Sequence, residues 1–259
     1  MYVANNPVAL IDPDGRIFDG DVNFVNRTKD EAGRLIKSEE SSQKNLQNSI
    51  DKRAAKGKST TNLERQLQNS KDNVSELNST ITEIGEMDKS ETVYYINSSK
   101  GADQTSYDVK NNRVEIGVKN SSDFAAFSHE LKHGYQFEKG FVDFDLNGGK
   151  PAFLYDITDE VSAYKREYAF GSNPTNSFNM SGINQSNVRQ LSERDAFGNI
   201  VYPYRDLSNN NLNTSTTLGV INQSEIGRTG QSNPQLIKHK DKKYSDAKTN
   251  GLLSSFISN

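Results

Sequence analysis

The segment that decides how this chain folds spans residues 123–140 and has the sequence DFAAFSHELKHGYQFEKG. Its apolar residues recur at helical spacing and a good N-cap stands at residue 122 or 123, so the segment predicts an α-helix. Within this helix His129 and His133 are one turn apart, and both imidazoles would project from the same face. Two imidazoles in this arrangement can bind one metal ion.

The two histidines belong to the pattern HELKH at residues 129–133, the His-Glu-x-x-His form that is typical of zinc metallopeptidases. The chain has only three histidines, so composition alone produces this pattern in about two of a thousand such chains. Glu130 lies beside the two ligands and could accept a proton from a water molecule at the metal. The alternative interpretation is a charged helix turn that faces solvent and binds nothing.

A catalytic zinc site needs a third protein ligand and one position that stays open for water. The chain contains no cysteine, so the third ligand must be a carboxylate or His239, and His239 lies in a basic, polar run typical of a surface. Residues 156–170, DITDEVSAYKREYAF, are the best source of carboxylates, because their apolar spacing predicts a helix that could pack across the first.

Within that second helix, the string EVSAY at residues 160–164 resembles the downstream ligand helix of zincin toxins of the gluzincin type. In such proteins a glutamate of this helix completes the metal site. The resemblance favours Glu160 as the third ligand. The other carboxylates of the segment remain alternatives: Asp156, Asp159 and Glu167.

Residues 2–15, YVANNPVALIDPDG, combine Asn-Pro with Asp-Pro-Asp-Gly, which is turn chemistry. The order of these residues resembles the signature that closes the core repeat domain of Rhs (YD-repeat) proteins. In that family a variable C-terminal toxin follows the signature. The resemblance therefore implies that residues 1–20 are the end of an Rhs core with its linker. An ordinary turn-rich leader is the alternative.

Residues 27–88 predict a helical hairpin that reverses near residues 56–59. In its second helix the apolar residues alternate spacings of four and three, a heptad seam with one polar break at Ser70. Two capping boxes predict the starts of the helices: Thr28 with Glu31, and Thr61 with Glu64. The hairpin is expected to pack on itself or on the catalytic domain, and a partner-binding arm is the alternative.

Residues 92–119 alternate apolar and polar residues around Asn111-Asn112, which predicts strands and a hairpin. The expected fold class is α+β: a minimal zincin-like metallopeptidase domain with a small antiparallel sheet, preceded by the helical hairpin. Residues 91–259 would form this toxin domain, with a C-terminal part rich in Asn and Ser. In zincins a strand borders the active-site cleft, where an extended substrate can pair with its edge.

The composition narrows the possible partners. The net charge is −3 with acids and bases interleaved, which argues against a nucleic-acid partner. No apolar run approaches the length needed to span a membrane, and we expect no signal peptide. The hydrophobic content of 32% predicts one modest core with polar segments.

Together, the two resemblances imply a secreted polymorphic toxin that is delivered into the cytoplasm of a target cell. There it would act as a zinc metalloendopeptidase on a protein substrate, with Zn²⁺ on His129, His133 and Glu160 and with Glu130 as the base. The implied partners are a cognate immunity protein and the Rhs shell of the full-length protein. The alternatives are a zinc hydrolase of a non-peptide bond, a non-catalytic module stabilised by metal, and a nucleic-acid-degrading toxin, which the charge balance disfavours.

Overall fold

A computed structural model describes most of the chain. The described residues are 18–90, 92–98, 101–108, 110–111, 113–139, 141–142, 144, 155–195, 197–208, 217–219 and 240–242. The Rhs-like signature at residues 2–15 and His239 lie outside them, as does most of the chain after residue 208.

The described residues form an α+β fold, as the sequence predicts, with five α-helices and a small sheet. The helices are α1 (Val22–Ala54), α2 (Thr61–Met87), α3 (Phe124–Glu138), α4 (Ile157–Ala169) and α5 (Gln185–Arg189), with a 3₁₀ turn at Met180–Gly182. The strands are β1 (Phe18–Gly20), β2 (Tyr94–Asn97), β3 (Gln104–Asp108), β4 (Arg113–Gly117), β5 (Glu193–Arg194) and β6 (Ile200–Val201). Strand β1 uses the last three residues of the segment predicted to be a linker.

The main sheet is mixed, which corrects the predicted antiparallel sheet. Its strand order is β1-β2-β4-β3, and only the β3–β4 hairpin is antiparallel. Strand β2 runs parallel to both β1 and β4. The parallel pair β1–β2 is possible because α1 and α2 form the long crossover that such a pair requires. Between β2 and β4 the chain passes to the sheet edge as β3 and then turns back.

One face of this sheet packs against α3, and this contact forms the main core. Phe127 and Leu131 lie on the apolar side of α3 and are almost fully buried, together with Ile96 and Ile116 of the sheet. Gly134 permits the close approach, because a Cβ atom there would lie 3.0 Å from the Ile116 Cδ1 atom and 3.1 Å from a Met87 carbon. This packing turns the opposite side of α3, which carries the histidines, away from the sheet.

Helices α1 and α2 pack along each other as a hairpin, but their starts differ from the predicted ones. Helix α1 begins at Val22 because the Asp21 side chain accepts a hydrogen bond from the Phe24 amide. Thr28 is therefore inside the helix, where its hydroxyl donates to the Phe24 carbonyl, and the predicted capping box does not form there. Thr60 occupies the N-cap position of helix α2, one residue earlier than predicted, and its hydroxyl donates to the Glu64 carboxylate and caps no backbone amide.

The polar break at Ser70 has a partner on the facing helix. The Ser70 hydroxyl donates to a Glu39 carboxylate oxygen at 2.5 Å, and the Asn73 amide donates to the other oxygen at 2.8 Å. The break is therefore a polar contact between α1 and α2, which lie side by side along the seam. Among the described residues, no helix combines the length and apolarity that a bilayer crossing requires.

A candidate metal centre between two helices

The two histidines of the HELKH pattern lie next to each other in the interior. Helix α3 begins at the predicted N-cap, Asp123, which accepts a hydrogen bond from the Ala126 amide at 2.9 Å. His129 and His133 are both buried, and their Nε2 atoms are 3.3 Å apart. Glu130 between them is also buried, so the alternative of a solvent-facing helix turn is wrong.

Helix α4 brings Glu160 to both histidines. One carboxylate oxygen of Glu160 lies 3.1 Å from the His133 Nε2 atom, and the other lies 3.5 Å from the His129 Nε2 atom. Asp156 and Asp159 are occupied elsewhere, because they form a capping box at the start of α4. Of the four carboxylates considered from the sequence, Glu160 is the one that faces both Nε2 atoms.

The spacing of these three groups suits a metal ion. Ligand atoms at about 2.0–2.1 Å from a tetrahedral ion such as zinc lie about 3.3–3.4 Å from one another. The two Nε2 atoms are 3.3 Å apart, and each lies 3.1 or 3.5 Å from its nearer Glu160 oxygen, distances close to this value. The Glu160 Oε2 atom is also buried without a hydrogen-bond partner, an expensive state for a carboxylate oxygen unless a cation compensates it. His129, His133 and Glu160 could therefore hold a metal ion.

Each histidine has a second partner that turns its Nε2 atom towards the centre. The His129 Nδ1 atom lies 3.1 Å from a Glu167 carboxylate oxygen, and the His133 Nδ1 atom lies 2.7 Å from the Gln136 carbonyl oxygen. Both partners accept hydrogen bonds, so each ring carries its proton on Nδ1 and leaves Nε2 free for a metal. Glu167, an alternative ligand in the sequence analysis, thus contacts the outer side of His129.

The histidines of the centre and the carboxylates beside them shift one another's pKa values. Burial alone would lower the pKa of His129, but the carboxylates of Glu160 and Glu167 outweigh it and raise that pKa well above its usual value. Burial alone would raise the pKa of the Glu160 carboxyl. The two imidazoles outweigh this effect and hold that pKa far below its usual range. A cation at the centre would take over the role of the imidazolium charges.

The Glu130 carboxyl lies near the same histidines, and a hydroxyl of the sheet contacts it. Burial raises the pKa of the Glu130 carboxyl, although the neighbouring His129 and His133 oppose this shift. The Thr105 hydroxyl on β3 lies 2.9 Å from the Glu130 Oε2 atom. A buried carboxyl with a raised pKa beside a potential metal site is suited to accept and release a proton.

Three tyrosines surround the centre. Tyr155 donates a hydrogen bond to Glu160, and the Tyr164 ring contacts His129 edge-on with ring centroids 4.5 Å apart. The Tyr164 hydroxyl in turn donates to the Tyr204 hydroxyl at 3.0 Å. The chain has six tyrosines between residues 135 and 204, and the structure places these three at the centre. The other three lie elsewhere: Tyr135 bonds to Glu86, Tyr168 to Asn69, and Tyr202 is exposed.

Sequence analysis did not identify Gln136 or Thr105. Gln136 could have been found, because it follows His133 by three residues and therefore lies on the same side of the helix. It also joins the two helices, since its amide donates to the Asp159 carbonyl at 3.0 Å. Thr105 had no local signal, because 25 residues separate it from Glu130.

Comparison with known proteins does not place the chain in a family. No protein-family model matches it, and neither a curated protein nor a solved structure resembles it significantly.

Proposed function

We propose that this chain is a zinc-dependent metalloendopeptidase with a zincin-like arrangement of its two central helices. The observation that carries the proposal is the convergence of His129, His133 and Glu160, with Glu130 beside them, in one buried cluster. Two imidazoles and one carboxylate are the ligand set of many catalytic zinc sites, and three protein ligands leave a position for water.

In this proposal Glu130 does the proton chemistry. When bound, a zinc ion supplies Lewis-acid activation of a water molecule and of the scissile carbonyl at neutral pH. Glu130 accepts the proton of the water and later delivers it to the leaving amine. Burial raises the pKa of the Glu130 carboxyl, so this group is a stronger base than an ordinary carboxylate. A stronger base is better suited to accept the proton from the water and to carry it to the amine.

The surrounding residues orient the groups that react. Glu167 and Gln136 hold the two imidazoles in the tautomer that binds metal. Tyr155, Tyr164 and Tyr204 offer hydroxyl donors for the oxyanion that develops at the carbonyl carbon. Tyr155 is the least available of the three, because its hydroxyl donates to Glu160, whereas the Tyr164 and Tyr204 hydroxyls contact each other.

The biological role that we propose is that of an Rhs-type polymorphic toxin acting inside a target cell. Its support is the sequence of residues 2–15, which resembles the end of an Rhs core, followed by a hydrolase-like centre. In this proposal the substrate is a protein of the target cell, and an immunity protein neutralises the toxin in the cell that produces it.

The test of the enzymatic proposal is to map new protein N-termini in cells that express either the wild-type chain or Glu130→Gln. The variant keeps all three proposed ligands but replaces the base by an amide, which cannot accept the proton. We expect new N-termini with the wild type only, and equal zinc content in both proteins. Full activity of the Glu130→Gln variant would overturn the mechanism, and activity without new N-termini would favour hydrolysis of a non-peptide bond. A zinc-loaded protein without any activity would favour a metal-stabilised binding module.

A further inference from the structure

A threonine on the edge strand of the sheet contacts the carboxylate of Glu130. The Thr105 hydroxyl lies 2.9 Å from the Glu130 Oε2 atom and 2.7 Å from the Glu130 backbone carbonyl oxygen. Thr105 is buried, and its strand, β3, lies at one end of the strand order. Its burial agrees with its position, because Thr105 is directly opposite Ile116 of β4, which packs against α3.

The Thr105 hydroxyl has one hydrogen, which these two Glu130 oxygens share, and within the described part of the chain it is the group placed to donate to the Glu130 carboxylate. His129, His133 and Glu160 are also near Glu130 but contact one another, and the nearby Tyr155 hydroxyl donates to Glu160. A buried carboxylate oxygen that loses its donor pays a desolvation cost and turns towards another donor or towards water. The rotamer of Glu130 therefore depends on the Thr105 hydroxyl.

We propose that Thr105 is a positioning residue whose hydroxyl holds the Glu130 carboxylate in place beside the metal centre. The inference rests on the proposed function, in which Glu130 is the base. It adds that the edge strand orients the base, so that the placement of β3 against α3 sets the rate of proton transfer. Among substitutions, serine keeps the hydroxyl, whereas valine keeps the shape and removes the donor.

A purely structural role for Thr105 makes a different prediction. The same hydroxyl also contacts the Glu130 carbonyl, and a residue that only supports the helix backbone would affect stability alone. A matched control exists in Thr28, which is buried as well and whose hydroxyl donates to a helix carbonyl, that of Phe24. Thr28→Val removes a comparable buried hydroxyl far along the chain from the metal centre.

The experiment compares the wild type with Thr105→Val, Thr105→Ser and Thr28→Val, using denatured casein as the substrate. For Thr105→Val we expect kcat to fall about 10- to 100-fold, with KM and zinc affinity unchanged, because losing an outer support of a reacting group has effects of this size. Thr105→Ser should restore most of kcat, and Thr28→Val should retain it. A Thr105→Val variant with wild-type kcat would overturn the inference.

A second measurement does not depend on the natural substrate. Acetohydroxamic acid gives up its O–H proton when it binds a metal, the base can take up that proton, and the affinity for the cobalt-loaded protein can be read from the visible spectrum. We expect Thr105→Val to weaken this affinity about tenfold, and to have no further effect in the Glu130→Gln background. Equal affinity in wild type and Thr105→Val would contradict the inference. If neither the wild type nor any variant cleaves casein, but Thr105→Val binds the hydroxamate more weakly than the wild type, the result argues against the peptidase proposal and supports the role of Thr105.

Discussion

Two carboxylates of α4 lie against the histidines, and they do so in different ways. Glu160 faces the Nε2 atoms of both His129 and His133, whereas Glu167 contacts the Nδ1 atom of His129 only. The ring of a histidine separates these two positions, so one carboxylate can bind a metal and the other can only orient a ligand.

This difference predicts the metal affinities of two variants. Glu160→Ala should nearly abolish zinc binding, because it removes one of three proposed ligands and leaves two imidazoles. Glu167→Gln should weaken binding by about 10- to 100-fold, as expected for an outer partner of a ligand. Competition with a chromophoric chelator measures both affinities, and Lys165→Ala, at a half-buried position of the same helix like Glu167, is the control. Stronger loss in Glu167→Gln than in Glu160→Ala would reverse the assignment.

At the scale of elements, buried ion pairs connect the helical hairpin to the metal helices. Arg166 of α4 is fully buried and lies 2.7 Å from Glu76 and 2.8 Å from Glu83, both on α2. Lys132 of α3 lies 2.8 Å from Glu83 as well. Helix α2 therefore contacts α3 and α4 at once, so the hairpin packs on the segment that carries the centre, as one of the arrangements expected from the sequence has it.

Removal of the buried arginine should destabilise the whole fold. Arg166→Met leaves Glu76 without a cation and leaves Glu83 with Lys132 alone, and breaking a buried pair in this way costs at most about 3–5 kcal/mol of the free energy of unfolding. Arg34→Met is the matched control, because the Arg34 side chain is 65% exposed and solvent screens its pair with Glu31, which should contribute little to stability.

Urea denaturation of the metal-free proteins measures both changes in free energy. In addition, zinc affinity should fall in Arg166→Met, since Arg166 and Glu160 share α4. Equal stability of the two variants would show that the buried pairs do not hold the helices together.

A second prediction at this scale concerns the continuity of α2. The helix is unbroken from Thr61 to Met87, and Val74 lies before both glutamates that bind Arg166. Val74→Pro removes a backbone donor and clashes with the preceding turn, which costs about 3 kcal/mol or more. Far-UV circular dichroism should show lost helicity and a lower melting temperature, whereas Val74→Ala keeps the donor and should retain most of the helix. Unchanged helicity in the proline variant would contradict a continuous α2.

At the scale of the whole molecule, the centre lies where the chain brings together distant segments. The sheet supports α3 from one side, and the hairpin holds both metal helices through buried charges. The proposed catalytic group Glu130 then depends on β3, and the proposed ligand Glu160 depends on α4.

The proposed toxin activity predicts an effect on cells. Expression of the full chain in the bacterial cytoplasm should arrest growth, because the protein would cleave a target there. Glu130→Gln should be harmless at equal expression and equal zinc content, and Thr28→Val should remain toxic. Viable counts after induction measure the outcome. A soluble, zinc-loaded wild-type chain that is harmless in several bacterial and eukaryotic hosts would remove the support for a toxin.

The helices and the spacing of the two histidines follow from the sequence alone. Both depend on residues three or four positions apart, and these contacts form in any helix with this pattern. The N-cap at Asp123 and the choice of Glu160 were predictable for related reasons, the first from local chemistry and the second from a resemblance. The predicted cap at Thr28 failed because β1 ends at Gly20 and Asp21 offers an earlier one.

Tertiary structure decided the rest. The parallel pairing of β2, the contact of Thr105 with Glu130 and the ion pairs of Arg166 join residues that are far apart in the chain. Such contacts depend on how the elements pack, because a single sequence pattern is compatible with several strand orders and helix orientations. The caps formed by Asp156 and Asp159 are local contacts, whereas only in the packed molecule does Glu160 become a partner of both histidines.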